Sequence, residues 1–347
     1  MELRLGLSDA TLKSPVRAAE ENHTVRSHIF FAIKNEGVCG LGEVSPQSTS
    51  LNGDPSVTEV LSELKEFAIP QFQEVCSREG TVPSWTRIAR FAGPRPSSYF
   101  AVALIEMAVL DYELRKESQK ILDIWPSSFE TPSLSTVSIL DNEDWTVNEN
   151  AHRVRVKTSP GEVSKAQLSR LRALSKPVIL DFNCSARSDE DILSQVAVLE
   201  DIVELVAIEQ PFAAGNVVDH ARLAEQLKAG VSLDEGVRSI RDIEQIARYS
   251  AARLVCVKPA RVGGLANART IVAKAHSHGI DAYIGGFFET MYGRNVHRHL
   301  ANASTDEPSD IAEVLLETGQ SSSDFVKDEF SFGLSPSEGF INSLNTI

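Results

Sequence analysis

Two rhythms of apolar residues divide the chain. From Met1 to Leu7 apolar and polar positions alternate, and the runs His28–Lys34 (HIFFAIK) and Val38–Val44 (VCGLGEV) flank Asn35-Glu36-Gly37. A period of two on either side of such a tripeptide predicts a β-hairpin. Ser45–Pro55 is rich in Ser, Pro, Gly and Asn and reads as a loop. Val57–Cys76 and Ser97–Lys116 carry helical spacing, the second through Val102, Ile105, Val109 and Leu110. Strands followed by helices predict a small α+β unit over residues 1–125.

From about residue 134 short apolar runs alternate with amphipathic segments. The runs are Leu134–Leu140, Arg153–Lys157, Val178–Phe182, Leu205–Glu209, Val231–Asp234, Leu254–Lys258 and Ala282–Ile284. Helical patterns lie between most of them, at Glu162–Leu174, Asp189–Val203, Val217–Ala229, Ile240–Tyr249 and Leu265–His278, with Thr290–Ala303 after the last. Alternation at a spacing of roughly 25 residues means βα units and a parallel sheet. The fold class is therefore α/β, a (β/α)8-type modified TIM barrel over residues 130–317 with an N-terminal α+β capping domain. Asp141–His152 is short for a helical connection. The Ser-rich tail, residues 318–347, is expected to return and complete the capping domain.

Composition narrows the function classes. Asp and Glu number 48 against 34 Lys and Arg, a formal charge of −14. Such a surface repels phosphates and anionic lipid, so neither nucleic acid nor membrane is an expected partner. The four cysteines (Cys39, Cys76, Cys184, Cys256) are scattered without a CxxC, which removes a zinc cage and suits a reducing cytoplasm. MELRLGLSDATLKSP lacks a signal-peptide core, and no apolar run reaches the ~18 residues of a membrane span. A soluble cytoplasmic protein is expected.

The chemistry gathers at the ends of the apolar runs. They close on Lys157, Asp181, Glu209, Asp234-Glu235 and Lys258, then on Gly285-Gly286 ahead of Phe287-Phe288-Glu289-Thr290. In such barrels the C-terminal strand ends form the active face. Strand-end acids often cap the next helix. Three of them on successive strands converge instead, and bare carboxylates so placed repel one another. A divalent cation resolves that conflict; all-oxygen donors favour Mg²⁺ first and Mn²⁺ second. Lys157 and Lys258 then face each other across the metal, where a partly desolvated lysine can serve as a base. Metal and facing amines together fit proton abstraction next to the carboxylate of a small-molecule substrate.

Several segments resemble the enolase superfamily, in the branch of the muconate-lactonising enzymes. They are RVRVKTSPG (153–161), LDFN (180–183), IEQPF (208–212), SLDEG (232–236), VKPARVGGL (257–265) and GGFFETMYGR (285–294). Within that branch the likeness is to the o-succinylbenzoate synthases and N-acylamino acid racemases. It implies Asp181, Glu209 and Asp234 as Mg²⁺ ligands, Lys157 as general base and Lys258 as the opposing lysine, with Mg²⁺ on an enediolate as enolase-superfamily sites have it. It implies Glu235 as an acid beside the ligands, and Gly285 and Gly286 as points of close backbone approach to substrate. Arg155, Asn183 and Glu289 complete the residues expected either to bind substrate or to stand just behind those that do. Homo-oligomers, dimers and octamers alike, occur in such families.

The implied reaction is Mg²⁺-dependent dehydration of a cyclohexadiene carboxylate to 2-succinylbenzoate, a menaquinone precursor. The alternatives are N-acylamino acid racemisation, which uses both lysines as acid/base, and a barrel that binds a carboxylate without turnover; a muconate cycloisomerase fits less well. The chain departs from the family pattern at Arg155, where the first lysine of the KxK motif is usual, at Leu110-Asp111 in place of Trp-Asp, and in the loop SPQSTSLNGD. The pairs His276/His278 and His297/His299 fall on helical patterns, where i and i+2 diverge, so neither reads as a metal site. Tyr292 and Arg294 fit substrate contact and helix packing equally well.

Overall fold

In the computed structural model, residues 1–18, 21–138, 147, 150–161, 165–311 and 324–347 are described. Strands β1 (Glu2–Ala18), β2 (Glu21–Asn35) and β3 (Val38–Val44) form an antiparallel sheet. Glu36 and Gly37 join β2 to β3 with φ of 54° and 81°. Two successive positive φ angles make the tight turn that matches strand twist. Near the other terminus, Asn345–Thr346 pairs with β1 and adds a fourth strand.

Helices pack on this sheet. Val57–Glu63 runs into a wide π turn at Leu64–Ala68 and then into Ile69–Glu79. The Ile69 amide bonds back to Leu64, and Pro70, which has no amide hydrogen, follows directly. The long helix Pro96–Lys116 is buried around nearly its whole circumference. It lies so close to β3 that a Cβ on Gly40 or Gly42 would strike the Ala108 or Leu104 carbonyl. The two glycines of VCGLGEV are what let a helix dock there.

Seven parallel strands form the second sheet: β4 (Leu134–Ser138), β5 (Arg153–Lys157), β6 (Val178–Asp181), β7 (Leu205–Glu209), β8 (Gly230–Leu233), β9 (Leu254–Val257) and β10 (Asp281–Ile284). They pair strictly in sequence order. Among the described residues the edge strands meet through a short segment rather than an eighth strand. The Leu134 amide donates to Ser309 O at 2.8 Å, and the Asp310 amide donates to Ile284 O at 2.9 Å. Helices alternate with the strands, among them Lys165–Leu174, Asp189–Leu199, Val217–Ala224, Ile240–Tyr249 and Leu265–Ser277, and Met291–Asn302 follows β10. Of the expected run to Leu140, Leu134–Ser138 is strand, and residues 139–140 and most of the 141–152 connection lie outside the described residues. Among the described residues no helix is long and apolar enough to cross a membrane.

Candidate active site

Sheet register brings the strand-end residues to one level. Lys157 pairs with Asp181, Asp181 with Glu209, and Glu209 with Ser232, two residues before Asp234. Lys258 follows β9 directly. A narrow cavity opens over these ends; Arg155, Lys157, Asn183, Glu235, Lys258 and Gly286 line it. Its other wall comes from the N-terminal sheet and its loop, through Arg26, Gln47, Leu51, Asn52 and Asp54.

Every expected metal ligand is buried and faces an internal cation. Lys157 Nζ donates to Asp181 Oδ2 and to Asn183 Oδ1, both at 2.8 Å. Lys258 Nζ donates to Asp234 Oδ2 at 2.7 Å, and Arg261 Nη1 reaches Asp234 Oδ1 at 2.5 Å. Arg155 lies 3.3 Å from Glu209 and 2.9 Å from Asp310, and the Tyr283 hydroxyl donates to Glu209. Burial pushes Glu209 up to about 8, with the charges of Asp181 and then Asp234 adding to it and Arg155 opposing. Burial also raises Asp234, but Arg261 and Lys258 outweigh it and hold that carboxyl far below the usual range. Glu235 is raised by burial and by its neighbours Asp234 and Asp181.

Among the described residues no three Asp, Glu, His or Cys side chains form a preformed metal cage. In kind, the donors fit a hard dication: three buried carboxylates, with the charges of Asp181 and Asp234 raising the proton affinity of Glu209, a repulsion such an ion relieves.

Other expected residues take different places. Gly285 makes room for the lysine, since a Cβ there would strike Cys256 Sγ and crowd the Lys258 stem. Gly286 leaves space for Glu289, which lies behind the cavity wall. Glu289 accepts from the Phe287 amide at 2.8 Å and faces Arg294 and His297, so it shapes the wall and is not among the residues lining the cavity. Tyr292 donates to Leu41 O at 2.7 Å, and Arg294 pairs with Asp310 at 3.0 Å, so both are spent on packing. His297 lies by Glu289 and His299 by the Phe332 carbonyl, apart as their spacing requires.

The residues that sequence reasoning missed come mostly from the N-terminal unit. Arg261 takes Asp54 through Nε at 2.8 Å and Nη2 at 2.6 Å. Asn52 Nδ2 donates to Glu235 and to the Asn183 carbonyl, both at 3.2 Å. Phe287 lies under the Lys258 ammonium, 4.7 Å from ring centre to Nζ. One signal was present for Arg26: it stands in phase with the buried His28, Phe30 and Ala32 on β2, where an apolar residue is the rule.

An antiparallel cap set over the carboxyl ends of a parallel barrel, with acids flanked by lysines, is the enolase-type architecture. The chain belongs to the enolase superfamily: the family described as "Enolase C-terminal domain-like" matches residues 143–341. It is 30% identical to o-succinylbenzoate synthase of Bacillus subtilis, across 84% of this chain and 79% of that protein. It is 28% identical to the N-succinylamino acid racemase of an Amycolatopsis species, across 84% and 80%. Among solved structures, a probable mandelate racemase from Alicyclobacillus acidocaldarius superposes with a TM-score of 0.78 at 22% identity, covering 100% of this chain and 99% of that one.

Proposed function

We propose that the protein is an o-succinylbenzoate synthase, which dehydrates 2-succinyl-6-hydroxy-2,4-cyclohexadiene-1-carboxylate to 2-succinylbenzoate. The observation that carries this is the pair of buried lysines, Lys157 on β5 and Lys258 after β9, facing one cavity with the three acids on the strands between. Relatives named for this synthase across most of the chain support the lyase reading.

Asp181, Glu209 and Asp234 would hold a Mg²⁺ ion, with Mn²⁺ as the second choice. A dication there supplies charge that makes the carbon next to a substrate carboxylate more acidic. With such an ion bound, Asp181 and Asp234 would no longer depend on their ammonium partners, and Lys157 and Lys258 would be left to face the substrate.

Lys157, as the neutral amine, takes the α-proton, and the C–H electron pair passes into an enediolate. Asn183 Oδ1 holds the lysine nitrogen in place throughout. Lys258 stays cationic over the Phe287 ring and faces the developing negative charge. The C–O bond then breaks, its electrons leave on hydroxide, and the Lys157 proton completes water. The ring becomes aromatic, which drives elimination forward. Arg155 keeps its charge throughout and anchors Glu209 to Asp310.

N-succinylamino acid racemisation is the second reading, because the opposing lysine is present and relatives carry that name. Purified protein with Mg²⁺ should consume the cyclohexadiene substrate, followed by absorbance, and Lys157→Ala should abolish it. An inert wild type overturns the synthase reading.

A further inference from the structure

Gln210 stands directly after Glu209, and it is tied to the chain just past both of the other expected ligands. It is fully buried. Its amide donates to Ser232 O at 2.9 Å, and its carbonyl accepts at 2.8 Å from the amide of Cys184, three residues past Asp181. Its side-chain oxygen accepts from two amides, those of Asp234 and Gly236, both at 3.0 Å. Its Nε2 donates to Phe212 O at 2.9 Å. The Phe212 amide in turn donates to His220 Nε2 at 3.4 Å, and His220 Nδ1 donates to Asn216 O at 2.7 Å. The far end of the clamp therefore rests on the helix Val217–Ala224.

The place suits an uncharged fork. The Gln210 backbone has a φ of 36°, uncommon for a residue with a side chain, and such a conformation persists only where the surroundings over-determine it. One oxygen must accept twice while the nitrogen beside it donates, which glutamine offers and a carboxylate does not. A carboxylate would also add another charge to the buried acids Asp181, Glu209, Asp234 and Glu235. With the amides of 234 and 236 on one oxygen, the chain between them presents Asp234 to Lys258 and Arg261, and Glu235 to Asn52 and Asn183.

We propose that Gln210 is a positioning residue: it fixes the spacing of the Glu209 and Asp234 carboxylates, and with it the preference of the site for a small dication over a larger one. It contributes no ligand atom of its own, because its side-chain oxygen is committed to two amides. Mg²⁺ demands near-octahedral oxygens at about 2.0–2.1 Å, whereas Ca²⁺ accepts irregular shells at about 2.3–2.6 Å. A fixed spacing therefore matters more for the smaller ion. The proposal rests on the reading of Asp181, Glu209 and Asp234 as metal ligands.

The test titrates the substrate-free, full-length protein with Mg²⁺ and with Ca²⁺ by calorimetry, and records the metal-free Tm of each variant. Wild type should bind Mg²⁺ more tightly than Ca²⁺. Residues that orient metal ligands are worth about 10–100-fold in affinity, so Gln210→Met, of similar length but without the bonds, should lose at least about tenfold for Mg²⁺ and clearly less for Ca²⁺. Gln210→Asn keeps the amide but is one methylene short of its partners. It should show the same unequal losses, and it decides the matter should Gln210→Met not fold. A wild type without preference for Mg²⁺, or a folded variant with wild-type Mg²⁺ affinity, overturns the proposal. So do equal losses for both ions at a lowered Tm, the result of a merely structural role. The two readings separate: a wild type that binds neither ion removes the metal site and the role of Gln210 together, whereas metal-binding wild type with unaltered variants removes only the role of Gln210. No outcome depends on whether the protein eliminates or racemises.

Discussion

Asp54 and Arg261 form a two-bonded ion pair buried between the loop after β3 and the mouth of the barrel, at 2.6 and 2.8 Å, with the two side chains 4% and 1% exposed. Arg261 also holds Asp234, so one guanidinium joins the loop to the row of strand-end acids. Arg238 adds a second tie, donating to the Asn52 carbonyl at 3.1 Å. Removing one partner of a buried pair costs about 3–5 kcal/mol, because the remaining charge is left bare. Asp54→Asn should therefore lower the Tm by several degrees and speed amide exchange over residues 47–56. Unchanged exchange there would show that the pair does not hold the loop.

The two lysines separate the candidate reactions. A positioned acid/base contributes about 10²–10⁴-fold. Under the synthase reading Lys157→Ala loses at least that factor in kcat and stops solvent deuterium entering the α-carbon. Lys258→Ala also slows turnover, but slow exchange catalysed by Lys157 persists. If each lysine serves one enantiomer of an N-succinylamino acid, each variant instead retains exchange with one enantiomer only. Proton NMR in deuterated buffer distinguishes the two patterns.

Metal binding is testable without turnover. A ligand that binds only the folded state stabilises it by about 2.7 kcal/mol at a hundred times its Kd. Mg²⁺ should raise the Tm of wild type, chelator should reverse the rise, and Asp181→Asn or Asp234→Asn should abolish it. A Tm indifferent to Mg²⁺ and Mn²⁺ would mean that the internal cations keep these carboxylates to themselves.

Glu106 supplies a pH-dependent contribution away from the site. Its carboxyl, on the long helix, accepts from the Leu265 and Ala266 amides, and burial pushes its pKa up to about 8 against those bonds. A folded pKa above the unfolded value of 4.5 means the folded state binds more protons in between. Stability from this group is full below about pH 4.5, declines as pH rises, and is lost past about pH 8. Every tenfold difference in proton affinity between the folded and unfolded chain is worth on the order of 1.4 kcal/mol. Denaturant melts at pH 5 and pH 8 should show a wild-type loss that Glu106→Gln reduces.

Gly285 is set by its neighbours rather than by its own torsions. A methyl there meets Cys256 Sγ and the Lys258 stem, so Gly285→Ala should displace the lysine. The expected result is a fall in kcat with a modest fall in Tm. Normal kcat would mean that Lys258 has no fixed place in the reaction.

Much of the barrel was legible because its strands are buried on both faces and read as short apolar runs, each closing on a residue that lies at the end of its strand. Lys157, Asp181 and Glu209 are strand-terminal, as their place in RVRVK, VILD and LVAIE indicates. The eighth position was not legible, because Ser309–Asp310 pairs through only a few bonds and carries no apolar run. For Glu289 the sequence left open whether it meets the substrate or stands behind the residues that do, and tight packing at Gly286 places it behind the wall.

By itself the sequence determined the order of strands and helices and the level at which the acids and lysines lie, since both follow from local periodicity and a repeating βα unit. Only the tertiary structure decided which cation each acid faces, how the β2 strand and the 45–56 loop close the cavity, and that Arg26 is held there by the Ser45 and Phe287 carbonyls. Those are relations between residues such as 26 and 287 or 54 and 261, far apart along the chain. They are fixed by the packing of one sheet on another, and no local pattern of hydrophobic and polar positions encodes them.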